Sequence, residues 1–238
     1  MSEPMPVVIL AGGKGTRLHP YTTALPKPLM PVGEMPVLEI IIRQLQKAGF
    51  KDLTVSVGHL HGLIQAYFGD GSSWGVNLRY SFETSPLGTA GPIALMTRPA
   101  GSFLVLNGDL LCSIDFSEMV RSHEHSGSIA TIATYPKRVQ ISLGVLETEE
   151  GVLTRYVEKP NIDYKVSMGI YVFEPRILDF IKVDERLDIP DLIQILLSAG
   201  ESVNLFNFDG YWRDIGTMEE YAAANEEFPS VASSLNFS

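Results

Sequence analysis

The chain has 238 residues, a formal net charge of −10, 45% apolar and 19% charged residues, ample material for one substantial core. So acidic a balance excludes a general nucleic-acid binder, whose grip on phosphate backbones needs many Lys and Arg contacts; any anionic ligand must be held by a local basic pocket. Cys112 is the only cysteine, which rules out an intrachain disulfide and a cysteine metal cluster and fits a reducing, cytoplasmic setting. The opening MSEPMP has no basic n-region, and the apolar run after it is too short to span a bilayer, so a soluble protein with no membrane partner is expected.

Val7, Val8, Ile9 and Leu10 have the length and β-branched content of a buried strand in a parallel sheet. Small residues follow at once: Ala11, Gly12, Gly13 and Gly15 let a ligand approach backbone amides with no Cβ in the way, which suits a phosphate cradle. Thr16 and Arg17 add a hydroxyl and a planar fork matched to phosphate oxygens, and Lys27 adds a point charge on a loop stiffened by Pro26 and Pro28. Two better-known phosphate loops fail here. No string matches the P-loop, and a dinucleotide pattern begun at Gly13 and Gly15 meets Leu18 where glycine or alanine is needed.

After Lys27, apolar residues Leu38, Ile41, Ile42 and Leu45 at helical spacing, stopped by Gly49, predict a helix. DLTVSVG predicts a strand, residues 63–68 a short helix, and GVNLRYSFE another strand. This alternation argues for parallel crossover units. TSPLGTAGPIALM is a second small-residue loop feeding a helix that starts near Gly91 and Pro92. SFLVLNGD then reads as a central strand with Asn107, Gly108 and Asp109 at its carboxyl end, the edge where open α/β sheets bind ligands. Residues 118–125, 176–181, 188–200 and the run MEEYAAANEEF are helical candidates. SIATIATYP opens a strand-rich region with two strands joined around Glu149, Glu150 and Gly151, another in SMGIYVFEP, and a strand pair or strand and loop in SVNLFNFDGYWRDIG. The terminal PSVASSLNFS is polar enough to fray.

LAGGKGTRL followed by PKPL resembles the signature of the sugar-phosphate nucleotidyltransferases, and further motifs in the same order extend the resemblance from Val7 to about Phe228. It implies an α/β fold, a mostly parallel Rossmann-like sheet flanked by helices with a sugar-binding lobe built into the same sheet. One domain over 1–228 is expected, with 1–125 the nucleotide part, 126–228 the sugar part and 229–238 a flexible tail. The implied reaction is attack by a sugar 1-phosphate on the α-phosphorus of an NTP, with Mg²⁺ as cofactor.

By that resemblance, Leu10, Ala11, Gly12, Gly13, Gly15, Thr16 and Arg17 hold the triphosphate, Arg17 favours pyrophosphate departure, and Lys27 steadies the α-phosphate and the incoming sugar phosphate. Asp109 of NGD and Asp214 of WRDIGT are the implied metal pair, matching the oxygen preference of Mg²⁺. Glu158 and Lys159 of EKP, with Gly144, Gly169 and Asn107, are the implied sugar-phosphate set. Many relatives carry asparagine two residues before the second glycine, where this chain has Ser167. No general base is required for an ionised phosphate nucleophile, so none of the five histidines is nominated.

Glu83, Pro86, Gly88 and Thr89 fall in the family's base-reading segment. An ionised Glu83 only accepts hydrogen bonds, so it suits the adjacent N1–H and N2–H donors of guanine, and the LGTAG string looks like that of mannose 1-phosphate and manno-heptose 1-phosphate guanylyltransferases. GTP is thus the expected partner, with UTP, dTTP or CTP and a glucose-type sugar as the alternative. A non-catalytic regulatory subunit of the same fold is the reading from another class; it conflicts with the full set of glycines, Arg17, Lys27 and both aspartates. The absence of hexapeptide repeats speaks against an appended β-helix and leaves a homo-oligomer open.

Overall fold

In the computed structural model, which describes residues 5–83 and 85–237, the first apolar run forms strand β1 (Val7–Ala11) inside a seven-stranded sheet. Two short strands, β2 (Pro31–Val32) and β3 (Met35–Pro36), pair with each other and lead into helix α1 (Val37–Lys47). β4 (Asp52–Val57), α2 (His61–Phe68) and β5 (Asn77–Phe82) complete the first crossover units. Then come β6 (Phe103–Asn107), β7 (Leu110–Cys112), α3 (Phe116–Ser126) and β8 (Ala130–Gln140). The rest comprises β9 (Gly144–Glu149), β10 (Val152–Glu158), β11 (Asn161–Phe173), α4 (Ile189–Ser198), β12 (Val203–Asn207), β13 (Trp212–Asp214) and α5 (Met218–Val231).

The main sheet runs β12–β8–β11–β6–β1–β4–β5, and every pairing is parallel except those that β11 makes with β6 and β8. This is the mostly parallel, helix-flanked architecture expected from the alternating pattern. Side-chain alternation along the strands feeds two apolar layers. Val7, Ile9, Leu104, Leu106, Ile170 and Val172 enter one, with α1, Phe68 of α2, Met119 of α3 and Ala224 of α5. Val8, Phe103, Val105, Tyr171 and Phe173 enter the other, with Ile93, Ile177 and Leu192 and Leu196 of α4. Among the described residues, no helix is long and apolar enough to cross a membrane.

Several expectations need correction. The helices predicted from Gly91 and over residues 176–181 are single 3₁₀ stretches, Gly91–Leu95 and Pro175–Phe180. Each is too short for two α turns, and Ile93 and Ile177 already reach the second layer from them. The strand-rich region is only partly in the main sheet: β9 and β10 pair as a separate two-stranded ribbon. β12 and β13 do not pair with each other, since β12 joins β8 and β13 joins β7. Residues 229–237 are not a loose tail either. α5 continues through Pro229, a 3₁₀ turn covers Ala232–Leu235, and Leu235 and Phe237 lie in the first layer. Gln44 of α1 donates its amide to the Leu235 carbonyl, so two apolar anchors and a hydrogen bond outweigh the polar composition of this segment.

Candidate active site

β1 delivers the glycine loop to the carboxyl edge of the sheet. Gly15 adopts φ +62°, and its carbonyl accepts a 2.9 Å hydrogen bond from Thr22 Oγ1 of the buried Thr22. A Cβ at Gly15 would stand 2.9 Å from Thr22 Cγ2, so both conformation and space call for glycine. Two 3₁₀ turns follow, Thr16–Leu18 and Lys27–Leu29. Leu18 and Leu29 are buried, while Arg17 remains exposed.

β6 and β7 bracket Gly108 and Asp109, and β13 pairs antiparallel to β7 with Asp214 opposite Leu110. The Ile215 N–H donates to the Asp109 carbonyl at 3.1 Å. This register sets two aspartates from distant parts of the sequence side by side. Lys27, with its side chain only 11% exposed, ion-pairs with Asp109 and holds its ammonium 3.8 Å from Asp214 Oδ1. A Cβ at Gly216 would lie 3.4 Å from Asp214 Oδ1 and 3.5 Å from an Arg17 terminal nitrogen, so the WRDIGT segment and the glycine loop meet here. Burial, reinforced by the charge of Asp109, raises the Asp214 pKa, and Lys27 and Arg17 oppose the rise. Among the described residues, the buried side-chain polar atoms lacking a hydrogen-bond partner are Asp109 Oδ1 and Asp214 Oδ1.

β13 is anchored from behind. Arg213 Nε donates to Glu227 Oε2 at 2.9 Å, and the same guanidinium pairs with Glu220, both acids lying on α5. Tyr211 Oη donates to Glu227 at 3.0 Å. The arginine holds the Glu227 carboxyl below its ordinary range, and burial pushes the Tyr211 phenol up to about 12. α5 begins immediately afterwards with Thr217 as N-cap, accepting from the Glu220 N–H.

Glu83 follows β5. Its Oε1 packs against Gly12 so closely that a Cβ there would overlap it, and accepts from Ser56 Oγ of β4 at 3.3 Å. Its Oε2 accepts the Leu87 N–H at 3.1 Å. The carboxylate therefore clips the 85–89 loop to the end of β1, and each oxygen keeps a further lone pair.

A cleft of about 810 Å³ opens at this edge, a size suited to a small-molecule substrate or cofactor. Residues 10–17, Lys27, Glu83, Pro86, Gly88, Thr89, Asn107 and Asp109 line it. Asp214 does not line the cleft but faces Lys27 at its margin. Gly169, with φ +75°, abuts the Asn107 side chain, and its N–H donates to Ser167 Oγ at 3.3 Å. Gly144 lies opposite Glu158 on the β9–β10 ribbon, with Lys159 just after it; these three are not among the cleft residues. Sequence reasoning missed Lys14, Gly58, His59, Arg186 and Asp188, which also line the cleft. Gly58 and His59 had a usable signal, since they follow a buried strand just as Gly12 follows β1. Arg186 and Asp188 had none.

The chain matches the profile of the Nucleotidyl transferase family over residues 6–230 and belongs to that family. It is 36% identical to a UTP–glucose-1-phosphate uridylyltransferase of Synechocystis sp., over 91% of this chain and 61% of that protein. It is 33% identical to mannose-1-phosphate guanyltransferase beta-A of Xenopus laevis, over 91% of this chain and 62% of that one. The chain thus spans about three fifths of the length of these curated relatives. Its fold is similar to the crystal structure of HddC from Yersinia pseudotuberculosis complexed with GMP-PN, with a TM-score of 0.73 and 25% identity over 94% of this chain and 99% of that one.

Proposed function

We propose that this chain makes a nucleoside diphosphate sugar. An oxygen of a sugar 1-phosphate forms a bond to the α-phosphorus of a nucleoside triphosphate. The bond from that phosphorus to the α,β-bridging oxygen breaks, and pyrophosphate leaves with the electron pair. The observation that carries this reading is Lys27, held between Asp109 and Asp214 beside a glycine-lined cleft. Bringing an anionic nucleophile onto a polyanion requires neutralising charge where it accumulates, so positioning and electrostatics do the catalysis. The amides of the 12–16 loop and Arg17 bind the departing phosphates, and Lys27 draws the α-phosphate and the sugar phosphate together. The nucleophile is ionised at neutral pH, so no side chain has to take a proton. Asn107 and Gly169, with Gly144, Glu158 and Lys159 from the ribbon, are assigned to the sugar phosphate.

The donor set fits Mg²⁺. Two carboxylate oxygens, buried and without partners, are what a hard cation needs when waters and phosphate oxygens fill its other positions. Among the described residues no third carboxylate, histidine or cysteine joins them, which is unlike an all-protein cage. Bound by Asp109 and Asp214, the ion would supply further positive charge to the triphosphate.

For the base we infer guanine, on the acceptor-only Glu83 beside Gly12, and on the two similar proteins whose names or ligands carry guanine. Uridylyl transfer to a glucose-type sugar is the second reading, favoured by the Synechocystis relative. Pyrophosphate release with Mg²⁺, measured for each common NTP against mannose 1-phosphate, a manno-heptose 1-phosphate and glucose 1-phosphate, separates them. GTP turnover is expected. Preference for UTP or dTTP would remove the guanine reading and leave the reaction, whereas no release with any pair would remove the reaction itself.

A further inference from the structure

One wall of the cleft is made of two segments far apart in sequence. Leu187 donates its N–H to the Leu87 carbonyl at 2.9 Å, and its own carbonyl accepts from the Ala90 and Gly91 amides at 2.9 and 3.1 Å. Asp188 Oδ1 accepts the Thr89 N–H at 3.0 Å, and Thr89 Oγ1 accepts the Ile189 N–H at 2.8 Å. Gly88, at φ +79°, fits so tightly that a Cβ would stand 2.5 Å from the Leu187 carbonyl oxygen. The 85–91 loop therefore does not stand alone; the stretch ending in Asp188 is its backing.

Arg186 projects from that backing and lines the cleft, with its side chain 69% exposed. One terminal nitrogen donates to Asp188 Oδ2 at 3.2 Å. Because Asp188 also holds Thr89, the guanidinium is registered to the same loop that Glu83 clips to β1. A guanidinium has five N–H donors, so this ion pair leaves most of them for a ligand. Arg17 and Lys27 supply charge at the glycine-loop end; Arg186 is the cationic side chain attached to the Glu83–Thr89 end.

Resting on the guanylyl reading above, we propose that Arg186 reads the base. Its guanidinium donates to the O6 and N7 acceptors of guanine, while Glu83 accepts from N1–H and N2–H. Arginine against O6 and N7 is the pairing by which guanine is most often read in the DNA major groove, and here the two residues together would distinguish guanine from the other bases. Adenine would present its 6-amino donor to a donor, and the pyrimidines have no N7.

The test compares GTP with 7-deaza-GTP, which lacks the N7 acceptor, in the wild type and in Arg186→Gln. The wild type is expected to show roughly tenfold lower kcat/KM with 7-deaza-GTP, and the variant to show nearly equal values for both. Melting temperatures should coincide, since the side chain is exposed. Equal efficiency for the two nucleotides in the wild type, or a variant that keeps the full ratio, overturns the role of Arg186 alone. So does an Arg186→Gln variant that weakens both nucleotides in equal proportion, because that is the behaviour of a phosphate contact. A wild type that uses UTP or dTTP and not GTP overturns the guanylyl reading and this inference with it.

Discussion

Replacing Lys27 by alanine should affect stability as well as turnover, and the two effects have separate causes. The ammonium is the cation between two carboxylates at one end of the β7–β13 ribbon, and the Lys27, Asp109 and Asp214 side chains are 11%, 20% and 45% exposed. Removing one partner of a fully buried pair costs about 3–5 kcal/mol, and an exposed pair is worth about 0–1 kcal/mol. The first two groups stand near the buried limit and the third is about half exposed, with its Oδ1 buried, so the loss is about 2–3 kcal/mol. For a chain of this size that lowers Tm by about 4–12 °C. Most of this loss is an orphaned charge rather than a missing contact, so Asp109→Asn in the Lys27→Ala background should recover stability while leaving the protein inactive. If the aspartates hold a divalent cation, millimolar Mg²⁺ should raise the Tm of Lys27→Ala more than that of the wild type, since it restores the missing charge by mass action. Differential scanning fluorimetry with and without Mg²⁺ measures all of this. An unchanged Tm in Lys27→Ala, or a double variant less stable than the single one, would falsify the orphaned-charge argument. Near-normal pyrophosphate release in Lys27→Ala would remove it from the phosphate site.

Leu235→Ala should cost about 2–5 kcal/mol in urea denaturation, because the side chain is fully buried in the first layer, and a loss under about 0.5 kcal/mol would restore the view of a loose end. Gly12→Ala displaces the Glu83 carboxylate and should lose about 1 kcal/mol in the ligand-free protein through its hydrogen bonds from Ser56 and Leu87, whereas Gly13→Ala, where a Cβ meets nothing within 4 Å, should leave the melt unchanged; equal effects would mean that Glu83 does not rest on Gly12. Glu227→Gln addresses pH. Arg213 holds the Glu227 carboxyl below its ordinary 4.5, so its contribution is fully present above that value and fades as pH falls through the lowered one. The variant should therefore melt lower than the wild type at pH 7, with the gap narrowing as the pH is lowered; a gap that stays the same at every pH at which both proteins fold would show that the carboxylate's charge is not the cause.

The layered sheet was legible because its information is local. A four-residue apolar run followed by glycines, and a second one ending in Asn107–Gly108–Asp109, specify buried strands and their carboxyl ends without reference to anything else in the chain. The cleft side of the site shares this property, since residues 10–17 leave the end of β1, and Asn107 and Asp109 mark the end of β6. What was not legible depends on pairings made at long range. Nothing near Trp212 states that β13 will join β7 rather than β12, yet that register alone brings Asp214 to Lys27. Nothing near Arg186 states that Leu187 will meet Leu87, because Glu–Arg–Leu–Asp has no turn chemistry or periodicity of its own. The tail was misread for the complementary reason. Composition averages over a segment, whereas two side chains, Leu235 and Phe237, decide where it lies. A residue whose position depends on a partner a hundred places away can take new chemistry without disturbing the local signals that build the sheet. Base selection through Arg186 would be a property of that kind, carried by a residue outside the glycine loop and both aspartates.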